Sequence, residues 1–245
     1  MNMIRLENIS VTFNEHTANP VKVLESLSLS FHKNEWTFII GGNGCGKSTL
    51  LKVINKGVIP NKGDIVYFGL TPKDILLVDQ HTMNNLIPSM TIYENLVFAF
   101  KNKSRMSALK FYHSGIYKQK IFNILSTFGL GLEGRLNEQV RFLSGGEQQI
   151  IVASRIMLSN PKFLLMDEFT SALDQKWGPF ILRKLKSFAM ENGIPVLAVT
   201  HDYNQIEHIG DRVILLKDGT VSKDVESSNK TLSRDYILSI FYGNE

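Results

Sequence analysis

Cysteine is almost absent from this chain of 245 residues: Cys45 is the single one. No intrachain disulfide can form and no thiolate zinc cluster can be assembled, which fits a reducing compartment. Long apolar runs are missing as well. Solid ones such as Phe163-Leu164-Leu165-Met166 fall far short of the roughly 18 residues that mark a membrane span. The start, Met1-Asn2-Met3-Ile4-Arg5, has neither an apolar h-region nor a small-residue cleavage site, so the expected location is the cytoplasm. Internal repeats, low-complexity segments and Pro- or Gly-rich linkers are lacking too, and the length suits one α/β unit with an inserted subdomain. Acidic residues are missing from the stretch that carries Lys101, Lys103, Arg105, Lys110, Lys118 and Lys120. That stretch reads as a solvated helix face rather than a lipid-headgroup contact. The formal charge of +4 permits a polyanionic partner without demanding one.

What is present falls into three textures. Ile9, Val11 and Phe13, then Leu27, Leu29 and Phe31, recur at period two and predict half-buried antiparallel strands. The solid runs Phe38-Ile39-Ile40, Phe163 to Met166 and Val196-Leu197-Ala198-Val199 predict parallel strands buried on both faces, with Gly41, Asp167, Glu168 and His201 at their carboxyl ends. Open parallel sheets bind ligands at that edge. From Gln80 to Ser144 the spacing shifts to 3.6, over Ile92 to Phe100 and Ile116 to Phe128, which predicts a helical insertion at about residues 81 to 158. Near the end, Asp218-Gly219 between Val213 to Leu216 and Thr220 to Val225 predicts a hairpin, and a short amphipathic helix follows around Tyr236 to Phe241.

Gly41-Gly42-Asn43-Gly44-Cys45-Gly46-Lys47-Ser48 matches G-x-x-x-x-G-K-[ST] and leads directly into Thr49 and a helical run. Glycines let the backbone wrap phosphates so that N–H groups and the helix N-terminus face the anion. Lys47 would reach the β and γ phosphates of ATP, and the Ser48 hydroxyl would ligate Mg²⁺. At the end of Phe163 to Met166, Asp167 suits the Mg²⁺ shell, while Glu168 suits the water that attacks the γ phosphate. Cys45, beside a helix N-terminus, is expected to be drawn toward the thiolate and to react with maleimides; the competing reading is a small inert residue packed under the loop.

Leu143-Ser144-Gly145-Gly146-Glu147-Gln148-Gln149 opens with S-x-x-E, a capping box in which Ser144 and Glu147 satisfy each other's backbone. Two glycines in a first turn each cost up to about 1 kcal/mol against alanine, so close approach to an anion is the better account of Gly145 and Gly146. The chain already has one phosphate reader, which points to an anion held by a second copy.

These motifs together resemble the nucleotide-binding subunit of ABC transporters over nearly the whole chain. The resemblance implies an α/β fold: a P-loop NTPase (RecA-like) core with an antiparallel β subdomain and a helical insertion subdomain, residues 1–245 forming one ATP-binding domain. It implies ATP hydrolysis, with ATP and Mg²⁺ shared between two copies in a head-to-tail dimer. Leu143 to Gln149 resembles the signature motif that closes on the partner's nucleotide. Gln80 resembles the glutamine that touches metal or water and links the site to the helical insertion. Ser171-Ala172-Leu173-Asp174 resembles the D-loop at the dimer interface, and His201 the switch histidine on the γ phosphate. Phe13 resembles the aromatic that stacks on adenine, although an inward-facing strand aromatic is usually core. Gly42 stands where many family members have proline, and Phe169 follows Glu168 where proline is common.

The implied partners are transmembrane permease subunits and, through them, an extracytoplasmic solute-binding protein, with this subunit on the inner face of the cell membrane. Pro88 to Leu96 and Phe128 to Glu133 resemble importer ATPases for amino acids or related small organic solutes. The alternatives are a complex that extracts lipids or proteins or signals through the membrane, and a soluble ATPase acting on DNA or ribosomes. The latter usually fuses two cassettes or adds coiled coils or zinc motifs, which this chain lacks, so no nucleic acid partner is expected.

Overall fold

The computed structural model describes residues 1–103, 115–169, 177–227 and 232–242. The chain divides into two compact units, one of Met1–Val78, Lys162–Ser171 and Ala189–Glu245, the other of Asp79–Pro161 and Ala172–Phe188.

In the first unit the period-two segments form the long strands β1 (Asn2–Phe13) and β2 (Val21–His32), paired antiparallel, with β4 (Lys62–Tyr67) on the other side of β1. Ile4, Leu6, Ile9, Val11, Leu24, Leu27, Leu29 and Phe31 are buried in one cluster with residues of the second sheet. That sheet has the order β5-β6-β7-β3-β8-β9. Its members are β3 (Trp36–Ile40), β5 (Ile75–Val78), β6 (Phe163–Asp167), β7 (Val196–Val199), β8 (Arg212–Lys217) and β9 (Thr220–Glu226). All pairings are parallel except β8 with β9. Every residue of β3 and β7 is buried, which is why these strands read as solid apolar runs.

The hairpin of β8 and β9 turns at Asp218 (φ 49°) and Gly219 (φ 75°), the two left-handed residues that a tight hairpin turn requires. Its tip docks on β2: Glu25 N–H donates to the Gly219 carbonyl at 3.0 Å, and a Cβ at Gly219 would lie 2.5 Å from the Val23 carbonyl oxygen. At the base of the hairpin, Arg212 is buried and fully engaged. It donates to Asp224 at 2.7 and 2.6 Å, to the Ser30 carbonyl at 2.7 Å and to Glu35 at 3.2 Å. Desolvation works against this guanidinium, yet Asp224 and Glu35 outweigh it and hold its pKa above the usual value.

The second unit is helical. α2 (Ile92–Val97) is capped by Thr91 in a reciprocal box with Glu94, α3 (Gly115–Ser126) buries Ile121 and Leu125, and α4 (Gly145–Ser159) buries a continuous set from Gln149 to Ser154. α1 (Lys47–Ile54) belongs to the first unit, where it follows β3 and packs against β6. The remaining helices are α5 (Trp177–Asn192), α6 (Tyr203–Ile209) and α7 (Arg234–Tyr242). Among the described residues no helix is long and apolar enough to cross a membrane.

Candidate functional site

Three adjacent strands end at one level. Ile39 of β3 pairs with Val199 of β7, and Val199 pairs with Asp167 of β6. The residues just beyond are therefore neighbours along one sheet edge: the loop from Gly41, then Thr200 and His201, then Glu168. Thr200 N–H donates to the Ile39 carbonyl at 3.4 Å and Glu168 N–H to the Val199 carbonyl at 3.1 Å, so the register persists past the strand ends.

The loop between β3 and α1 has the backbone that its glycines permit. Gly41, Gly44 and Gly46 lie at φ 154°, 79° and 103°. A Cβ at Gly46 would stand 2.7 Å from the Leu24 side chain and 2.8 Å from the Val23 carbonyl. Gly42, Asn43, Gly44 and Ser48 are exposed and Thr49 is half-buried. Lys47 is only 7% exposed, and its ammonium donates to the carbonyls of Gly41 at 2.8 Å and Gly42 at 2.9 Å. Gly42 has open space where a Cβ would be, so a larger residue there meets no neighbour.

Cys45 corrects the thiolate expectation. Burial pushes its thiol pKa up and outweighs the opposing pull of Lys47 and of the loop N–H groups. Its Sγ packs 2.7 Å from the position a Cβ on Gly41 would occupy, so it is a half-buried packing residue beneath the loop.

Glu168 is the only charged residue among the described ones of β6 and its exit with a left-handed backbone, at φ 45°. A non-glycine residue there costs on the order of 1–2 kcal/mol, and such strain gathers at functional sites. The turn directs the side chain to His201: Glu168 Oε1 and His201 Nε2 are 3.0 Å apart, with the side chains 20% and 45% exposed. Asp167, the last residue of β6, is half-buried. Behind His201, Thr200 Oγ1 accepts from Asp202 N–H at 3.0 Å and donates to Gln205 at 3.1 Å, fixing the turn into α6.

Phe13 closes β1 opposite Val21 and is 41% exposed, unlike the buried Ile9 and Val11 with which it shares period two. Phe13 is the last residue of the strand and its partner Val21 is itself 52% exposed, so the ring stands at the uncovered end of the sheet. The core reading of Phe13 is thereby set aside. Between Val23 and the phosphate loop lies a cleft of about 810 Å³, walled also by Lys22, Lys217, Asp218 and Lys223. No motif in the sequence marks these cations, because they are brought together by the docked hairpin.

In the second unit, Ser144 caps α4 as a true box: Ser144 N–H and Oγ donate to Glu147 Oε2 at 2.8 and 2.9 Å, and Glu147 N–H returns to Ser144 Oγ at 3.4 Å. Arg135 extends it, donating to Glu147 Oε1 and, at 2.8 and 2.9 Å, to Glu138. Burial works to raise the Glu147 pKa, but Ser144 and Arg135 together bring it below the usual carboxylate value. Gly145 has open space at its Cα, whereas a Cβ on Gly146 would lie 3.1 Å from the Trp177 ring. Packing against Trp177 is thus a second reason for Gly146. Gln80 is exposed in the loop after β5. Asp174, with the rest of 170–176, lies outside the described residues.

The ABC transporter family matches residues 24–171 of the chain. The tyrosine transport ATP-binding protein of Clostridioides difficile is 32% identical, covering 98% of both chains. The methionine import ATP-binding protein MetN of Haemophilus influenzae is 30% identical over 98% of this chain and 71% of its own length. The spermidine/putrescine import ATP-binding protein PotA of Acetivibrio thermocellus is 31% identical, and this chain spans only 60% of its length. Among solved structures, a dimeric ATP-binding cassette in a post-hydrolysis state bound to ADP and Pi is 30% identical, with a TM-score of 0.76 over 91% of this chain and 98% of its own. Sheet order, phosphate loop and these likenesses lead to one conclusion: the chain belongs to the ABC transporter family and is one of its ATP-hydrolysing cassettes.

Proposed function

We propose that this subunit powers the import of a small organic solute, working as a head-to-tail pair docked on membrane permease subunits at the inner face of the cell membrane. The observation that carries the chemistry is the shared level of β3, β7 and β6, which sets the Gly41 loop, His201 and the Glu168 carboxylate along one edge. The import reading draws on the relatives named for tyrosine transport and for methionine and polyamine import. The solute itself would be read by the permease and, outside the membrane, by a solute-binding protein.

In this reading Gly41 to Thr49 wraps the phosphates of ATP, and Lys47 redirects its ammonium from the loop carbonyls toward the β and γ oxygens. Glu168, held by His201, orients the attacking water and takes up its proton, while the imidazole contacts the γ phosphate. Ser48 and Asp167 supply the hard oxygen donors that suit Mg²⁺, which takes few protein ligands and, when bound, offsets charge on the β and γ phosphates. Gln80 would sit at that metal or its water, and Asp174 at the interface between the copies. Ser144, Gly145, Gly146 and Glu147 of one copy would close on the nucleotide of the other, while the exposed ring of Phe13 would stack on adenine.

Glu168→Gln tests the central assignment. Turnover is expected to fall about 10²- to 10⁴-fold with nucleotide affinity retained, so that an ATP-bound dimer accumulates in size-exclusion chromatography. Near-parental turnover would remove Glu168 from the reaction.

A further inference from the structure

The loop after β5 is gripped more tightly than a surface turn requires. Asn85 ends the short 3₁₀ segment Thr82–Asn85, is half-buried, and holds the backbone on both sides of Gln80 with its side-chain amide. Its Oδ1 accepts from Asp79 N–H at 3.0 Å, while its Nδ2 donates to the carbonyls of Asp79 at 3.0 Å and His81 at 3.2 Å. Asp79 completes the ring, its Oδ1 accepting from His81 N–H and from Asn84 Nδ2, each at 2.9 Å. Three bonds from one amide, placed on the two neighbours of a single residue, determine where that residue's side chain begins.

The same Asn85 is tied from another element. Arg155, half-buried in α4, donates through Nη1 to the Asn85 carbonyl. Burial lowers the pKa of this guanidinium, so its charge is held in α4 against a desolvation cost. α4 is the helix whose N-terminus is capped by Ser144, eleven positions before Arg155 and about 16 Å away along a helix rising 1.5 Å per residue. A helix of that length transmits displacement without bending much. The part-buried hydrogen bond toward its far end therefore ties the turn around Gln80 to the helix whose other end is capped by Ser144.

We propose that Asn85 and Arg155 are positioning residues that hold the Gln80 loop on the helix presenting Ser144 and so set where the Gln80 side chain stands. The proposal rests on the readings of Gln80 and Ser144 given above. Neither Asn85 nor Arg155 touches nucleotide; each acts through the residues it holds.

The test is steady-state ATPase kinetics on the purified full chain, with Gln80→Ala, Asn85→Ala, the double variant, Arg155→Met and Arg155→Lys. Gln80→Ala and Asn85→Ala are each expected to lower kcat about tenfold or more, with KM for ATP within about twofold of the parent. The double variant should be no slower than Gln80→Ala alone, since the clamp has nothing left to position. Arg155→Met should behave like Asn85→Ala, and Arg155→Lys, which keeps a donor for the Asn85 carbonyl, should recover most of the rate. Hydrogen exchange at the Asp79 and His81 amides should quicken in Asn85→Ala. Additive losses in the double variant overturn the proposal, as does parental kcat in Asn85→Ala when Gln80→Ala is slow; the reading of Gln80 then stands. Parental kcat in Gln80→Ala removes that reading and the proposal with it.

Discussion

The helix after the phosphate loop begins without any side-chain cap: Gly46 precedes it at φ 103°, and the loop before it is bent through Gly41 and Gly44 into conformations few other residues adopt. α4 begins in the opposite manner, with Ser144 extended, Glu147 reaching back to it, and Arg135 steadying Glu147. Both beginnings carry glycines, but for different reasons. In the first the glycines shape the backbone so that its N–H groups are offered to a ligand. In the second the helical geometry is ordinary and the side chains already serve the backbone, so Gly145 contributes only empty space. Anything that binds the end of α4 has to share Ser144 with Glu147.

The sharpest way to break this contrast is Gly46→Ala. Its Cβ would enter space held by Leu24 and the Val23 carbonyl, at a backbone angle costing about 1–3 kcal/mol. Loss of nucleotide binding in fluorescence titrations and a lower unfolding midpoint are expected. An alanine accepted without either change would show that the loop is not held in this shape.

Gly145→Ala should do the reverse to stability, raising it by about 0.5–1 kcal/mol as a helix-favouring substitution in open space. ATP-dependent dimerisation should nonetheless weaken if, as proposed, this end of α4 closes on the partner's nucleotide, because the added methyl would stand in its way. Ser144→Ala should weaken dimerisation and also cost about 1 kcal/mol of stability through loss of the cap. Dimers of parental strength in Gly145→Ala would return that glycine to an ordinary helix position.

The smallest effect concerns Cys45. Because burial raises its pKa, maleimide labelling at neutral pH should be slow, and below that pKa it should rise about tenfold per pH unit. Fast labelling near pH 7 would mean that the loop N–H groups stabilise the thiolate after all.

Much of the sheet was readable from sequence because burial on both faces leaves a solid apolar run, as in Phe38-Ile39-Ile40 or Val196 to Val199. The Asp218-Gly219 turn was readable because its chemistry is local. Cys45 was misjudged by a local rule. Packing against Gly41 dehydrates a thiol that a helix N-terminus alone would ionise. The Arg135 to Glu147 link and the Asn85 clamp join residues with no spacing signature, so only the folded chain displays them.

Lys47 carries a consequence of its own. A lysine side chain has close to 2 kcal/mol of rotamer entropy to lose when it is fixed. Here most of that loss is incurred during folding, because two of the three ammonium protons are already committed to the carbonyls of Gly41 and Gly42. Under the proposed function an arriving phosphate would meet a cation that is immobilised in advance and has one proton in hand, and it would need only to draw the other two across a short distance. Association would then depend little on waiting for a flexible chain to find the anion. The same two carbonyls would act as a restoring force on the ammonium whenever it is drawn away from them.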